Sequence, residues 1–181
     1  MDPKVKAALV APESFQDIGS EFRLDRPLLT DAIGNTDGYL SDVCLKTRVD
    51  TGISTSRRRV WNGSVGIQQD VYGLIGVTSA HVLDTVRAKA RSCKTYVLTL
   101  NKPERVVKAD VELPGLPGVD GSYGVCESMA DVSERNWNCT AFISRGALVV
   151  SVSITARSED SARAHLAVVL PRFAAGLQKE G

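Results

Sequence analysis

Along much of its second half the chain alternates apolar and polar positions. Leu148, Val150, Val152 and Ile154 alternate with Val149, Ser151, Ser153 and Thr155, and Val107, Ala109, Val111 and Leu113 with Val106, Lys108, Asp110 and Glu112. Successive side chains of a strand point to opposite faces, so this pattern predicts half-buried strands over Arg105 to Leu113 and Ala147 to Thr155. Tyr123 to Ser128 and Trp137 to Ile143 predict two more, with a turn around Ala130 to Glu134 and a tight hairpin at Ser144-Arg145-Gly146. The last three strands should lie side by side and antiparallel. Further back, Arg48 to Tyr72 reads as a hairpin about Asn62-Gly63, because Asn-Gly accepts the backbone of a two-residue turn. A short strand is expected over Lys94 to Leu100.

The period changes twice. Val82, Val86 and Ala90 recur four apart, with Leu83 beside them and Thr78 or Ser79 ahead as an N-cap, which predicts an amphipathic helix ending just before Cys93. Ser158-Glu159-Asp160-Ser161 opens a second helix, running to about Gly176 with Ala162, Leu166, Val169, Phe173 and Leu177 on one face. Pro171 removes a backbone donor there, and a kink or local loosening is expected. Near the start, Pro12-Glu13-Ser14-Phe15 reads as a short helix with Phe15 and Ile18 as its contacts. The turn formers between residues 25 and 42 predict a long surface loop, and Pro114 to Gly121 a second loop. The chain therefore divides into an N-terminal segment, residues 1–24, packing its short helix on a single α+β domain, residues 25–181. The expected fold is an antiparallel sheet covered on one face by helices.

Composition sharpens this only a little. The 181 residues hold 22 Lys+Arg against 21 Asp+Glu, a net charge of +1, and 43% are hydrophobic, which supports a true core and excludes a wholly disordered chain. No global field draws nucleic acid, and no nucleic-acid partner is expected. Apolar stretches such as Ala147 to Val150 fall far short of the roughly 20 residues that span a bilayer, so no membrane span is expected in this chain.

Cys44, Cys93, Cys126 and Cys139 are widely spaced, with no histidine near enough for a short zinc motif, and no metal is expected. Their even number fits two disulfides in an oxidising compartment, against the alternative of four buried thiols. Three pairings are possible; the sequential one, Cys44–Cys93 with Cys126–Cys139, is preferred. An exported chain needs a leader, yet Met1 to Lys6 has mixed charge and no apolar run. We therefore expect Met1 to stand after a removed leader or membrane anchor.

Phosphate-loop, dinucleotide, nucleophile-elbow and zinc-protease motifs are absent, which weighs against the large enzyme superfamilies. Arg57, Arg58 and Arg59 beside Trp61 have the chemistry to hold an anionic or planar ligand by ion pairing and stacking, or to keep an edge strand soluble, and Arg57, Arg59 and Trp61 are taken as ligand-facing. Tyr72 and Trp137 complete the ligand-facing candidates. If the chain is an enzyme, Asp110 and Glu112, expected on one strand face, and His81 are the acid–base candidates.

The run Val71-Tyr72-Gly73 leading to Ala80-His81-Val82-Leu83-Asp84-Thr85-Val86-Arg87-Ala88-Lys89-Ala90-Arg91-Ser92-Cys93 resembles the strand, helix and cysteine of the actinobacterial extracellular sensor domain of PknH-type receptor Ser/Thr kinases and related lipoproteins. So do Asn138-Cys139-Thr140 and Arg145 to Val152 with the closing helix. The resemblance spans roughly residues 40 to 178. It implies an antiparallel sheet with helices, two disulfides and a cleft that binds an unidentified ligand, with no catalytic residues to carry over. The expected function is an extracytoplasmic sensor-like module of the cell envelope, secreted or membrane-tethered through a segment absent from this chain. It would act as a monomer without cofactor, on a small molecule or an envelope protein. The alternative is a small biosynthetic enzyme, a cyclase or isomerase, using the same cleft.

Overall fold

The computed structural model describes residues 1–19, 21–24, 32–33, 39–41, 44, 47–48, 52–97, 104–128 and 137–178. In chain order the elements are α1 (Asp2–Ala7), β1 (Arg23–Leu24), β2 (Ala32–Ile33), β3 (Tyr39–Ser41), β4 (Thr47–Arg48), β5 (Ile53–Asn62), β6 (Gly66–Leu74), α2 (Ser79–Ser92), β7 (Thr95–Tyr96), β8 (Arg105–Lys108), β9 (Gly121–Ser128), β10 (Trp137–Arg145), β11 (Leu148–Ala156) and α3 (Glu159–Gln178). Eight strands lie in the order β1-β5-β6-β11-β10-β9-β8-β7, with β2 also on β5, and every pairing is antiparallel. The expected α+β class and both expected hairpins are present. The second turns at Gly146-Ala147, where Gly146 takes a φ of 54° that costs glycine nothing, and Asp120 Oδ2 accepts its N–H at 2.6 Å.

Alternation decides what each face buries. Ile67 and Val71 of β6, Ala141 and Ile143 of β10, and Leu148, Val150, Val152 and Ile154 of β11 point to one side. There they meet α1 and all five apolar positions expected on α3. The opposite side carries Tyr72, Leu74, Tyr123, Val125, Phe142 and Val149, over which α2 lays Val82, Leu83, Val86 and Ala90. Helices thus cover the α1/α3 face, as expected, and α2 adds a smaller second layer behind it. Thr78 caps α2 by accepting the His81 N–H at 3.2 Å.

Three local expectations need correction. The N-terminal helix is Asp2–Ala7, where Pro3 suits the first turn; Pro12 to Ile18 forms successive turns instead. Those turns bring Phe15 inward against Trp61, with ring centroids 4.9 Å apart, and against Phe173 at 5.5 Å. Strand β8 ends at Lys108 rather than Leu113, because Asp110 adopts φ 57° and breaks the alternation. The region expected as an uninterrupted loop, residues 25–42, contains β2 and part of the β3–β4 ribbon. The rest of that loop, the expected turn at Ala130 to Glu134 and the end of the strand at Leu98 to Leu100 lie outside the described residues.

Both disulfides of the sequential pairing form. Cys126 and Cys139 face each other on β9 and β10 with Cα atoms 4.1 Å apart, wholly buried. Cys44 and Cys93 tie the chain between β3 and β4 to the end of α2 with Cα atoms 6.2 Å apart. Among the described residues no helix is long and apolar enough to cross a membrane.

Candidate functional site

The ligand-facing candidates separate into three places. Arg57, Arg59 and Trp61 share one face of β5, as the alternation requires, and that face lies beneath the N-terminal segment. Arg57 pairs with Asp2 at 2.7 Å, Arg59 donates to the Val10 carbonyl at 2.7 Å, and the Trp61 indole N–H donates to the Pro12 carbonyl at 2.8 Å. Gln69, on the neighbouring strand, donates to the Ala8 carbonyl at 3.0 Å and accepts the Val10 N–H at 3.1 Å. These polar ends therefore fasten residues 2–12 to the sheet. Tyr72 points to the opposite face, buried beside α2, and Trp137 starts β10 half-buried, with the Lys108 ammonium 5.0 Å from its ring centre.

The acid–base candidates do not assemble either. Asp110 and Glu112 lie past the end of β8 and do not share a strand face; Asp110 is exposed and paired with Arg91 in the last turn of α2. His81 stands exposed in the first turn of that helix, ten residues earlier, which is about 15 Å along the axis.

A polar cluster that the sequence reading passed over occupies the α2 side of the sheet, beyond the area α2 covers. Register aligns it: Asp70 lies opposite Ser151, Gln68 opposite Ser153, Ser153 opposite Thr140, and Asn138 opposite Glu127. Asp70, Glu127, Thr140 and Ser151 are all buried, at 3, 6, 7 and 5% exposure, where an apolar face would otherwise be expected. Burial of carboxylates is costly unless each oxygen is bonded. Asp70 receives Arg58 Nε at 2.5 Å and Gln68 Nε2 at 2.6 Å. Glu127 receives the Tyr96 hydroxyl and Asn138 Nδ2, the latter at 3.4 Å. Asn138 also donates to Thr140 Oγ1 at 3.3 Å, which bonds the Ser153 hydroxyl at 2.8 Å. Burial, reinforced by the Glu127 charge, pushes the Tyr96 hydroxyl well above its ordinary pKa, so it stays a protonated donor at neutral pH. Two signals for this cluster stood in the sequence: the run of Ser151, Ser153 and Thr155 after Val149, and Gln68 with Asp70 between apolar neighbours.

Tyr96 connects that cluster to the surface. Tyr96 also lines an open depression of about 640 Å³ between the end of α2 and β7, together with Lys89, Lys94 and the half-buried residues Cys44 and Cys93. Both lysines are exposed, and neither has an ion-pair partner among the described residues. A second depression, of about 530 Å³, lies at Pro12, Glu13, Phe22, Arg23 and Asn62. Among the described residues no group of His, Cys, Asp and Glu side chains is arranged to hold a metal ion.

No protein-family profile and no curated protein matches the chain. Among solved structures it is similar to the extracellular domain of PknH from Mycobacterium tuberculosis, with a TM-score of 0.58 and 13% identity over 99% of this chain and 97% of that one. At that identity the likeness speaks for the fold alone: the two chains share one architecture along nearly their whole lengths.

Proposed function

We propose that this chain is an extracytoplasmic, sensor-like binding module. It takes a small polar molecule in the depression between the end of α2 and β7, with no chemistry of its own. The observation that carries the reading is the double role of Tyr96, which lines the depression while its hydroxyl is held by Glu127 at the edge of the buried polar cluster. A ligand group reaching Tyr96 meets a hydroxyl already oriented by a carboxylate, and behind it a chain of amide and hydroxyl groups able to re-pair. The exposed ammonium groups of Lys89 and Lys94 favour an anionic or acceptor-rich ligand.

Two disulfides support the extracytoplasmic placement, since such bonds persist in oxidising compartments. The likeness in fold to the extracellular domain of PknH is compatible with a sensing role.

A ligand that binds the native state raises its melting temperature by mass action. Screening small carboxylates, phosphates, sugars and polyols by thermal shift should therefore find compounds that stabilise the wild type, with the shift lost in Tyr96→Phe and weakened in Lys89→Ala/Lys94→Ala. Full retention of the shift in both variants would remove the depression as the seat. Turnover of the stabilising compound would favour the enzyme reading.

A further inference from the structure

We propose that the Cys44–Cys93 bond is a thiol–disulfide exchange site, open to a dithiol reductant of the thioredoxin class, while Cys126–Cys139 is a permanent brace. The two bonds differ in three respects that govern exchange. The first is access: Cys126 and Cys139 are fully buried beneath α3, whereas Cys44 and Cys93 are half-buried and line an open depression. A thiolate must reach a sulfur along the S–S axis, so only the second pair can be attacked without opening the fold. The second is charge. Lys89 and Lys94 line the same depression, attracting an incoming thiolate and stabilising the one released. The third is backbone conformation: Cys44 holds φ 63°, a costly value for a non-glycine residue, whereas neither Cys126 nor Cys139 has a positive φ.

The step balances without another reactant. One thiolate of the donor attacks either sulfur, the Cys44–Cys93 bond breaks, and the other cysteine leaves as a thiolate and takes up a proton. The donor's second thiol then displaces the protein sulfur. The donor loses two electrons and two protons as it closes its own disulfide, and the protein gains them as two thiols.

Only the link between the β3–β4 ribbon and α2 is severed; the main sheet, with its own disulfide between β9 and β10, is untouched. Reduction would free the ribbon beside the depression and change access to it. The exchange chemistry itself does not depend on what the depression binds.

Native oxidised protein is treated with graded dithiothreitol in the absence of denaturant, quenched with iodoacetamide and mapped by peptide mass spectrometry, with circular dichroism followed in parallel. Cys44 and Cys93 should be labelled together at least tenfold faster than Cys126 and Cys139, with the sheet signal retained. Labelling of all four cysteines at one rate, labelling of Cys126 and Cys139 first, or labelling only as the sheet signal is lost would overturn the proposal. In Lys89→Glu/Lys94→Glu the first reduction should slow several-fold; an unchanged rate would strike out the charge argument. Hydrogen exchange should rise at β3, β4 and the last turn of α2 on reduction, and a rise spread equally over β9 and β10 would refute selective release.

Discussion

Gln69 is completely buried, yet its amide does for the N-terminal segment what a neighbouring strand would do, pairing with one carbonyl and one N–H of residues 8–10. Replacing it with leucine keeps the volume and orphans both backbone groups, at about 1–3 kcal/mol each. Gln69→Leu should therefore cost roughly 3 kcal/mol in urea unfolding, despite being the more hydrophobic residue. Trp61→Ala, which empties the space between Phe15 and Phe173 and frees the Pro12 carbonyl, should cost about 3–5 kcal/mol in the same assay. Tyr96 predicts a pH effect. Its folded pKa is raised, so the folded state holds the proton more tightly than the unfolded chain, and its contribution is complete below the unfolded value near 10. Stability should fall as pH climbs above about 10, and Tyr96→Phe should flatten that decline in alkaline melting curves.

At the scale of elements, the contact between α3 and the N-terminal segment reverses an expectation from helix propensity. Alanine normally improves a helix over glycine by about 1 kcal/mol. At Gly176, however, a Cβ would lie 2.9 Å from the Ala8 carbonyl oxygen, a backbone atom with little room to move. Gly176→Ala should accordingly destabilise, by about 1–2 kcal/mol in thermal unfolding, and a gain in melting temperature would show that the segment yields instead. The regular elements were legible wherever periodicity was sustained: α2, α3, β9, β10, β11 and the β5–β6 hairpin all follow from spacing and turn residues. Legibility ended where non-local contacts decided. Residues 12–18 are shaped by the demand of Phe15 for the Trp61–Phe173 pocket and not by local propensity, and β8 stops at a left-handed Asp110 that alternation alone does not reveal.

On the scale of the whole molecule, the candidate site was the less readable part, because which residues share a patch depends on strand order. Arg57, Arg59 and Trp61 share one face of β5 by alternation, but the pattern along that strand carries no information that residues 2–15 cover it. The cluster of Asp70, Ser151, Thr140, Asn138 and Glu127 draws on four strands and becomes visible only once β6 is known to pair with β11. The disulfides, by contrast, join sulfurs 49 and 13 residues apart, and the chain-entropy description credits them with about 4 and 3 kcal/mol. Against a total stability of about 5–15 kcal/mol, loss of one bond leaves a fold and loss of both removes most of the margin. Fully reduced, alkylated protein should show no cooperative melting transition, while a cooperative one near the native temperature would mean the core suffices alone.

The pairing of β6 with β11 also sets an order of events during folding. The β5–β6 hairpin and the β9–β10–β11 meander are each local, but the seam between them closes the longest loop in the main sheet. Until residue 156 has emerged, Ile67 and Val71 sit on an open strand edge with half their backbone bonds unmade. Late closure of this kind belongs to slow, millisecond-to-second folding. It leaves the nascent first half needing protection from its own kind before the second half arrives.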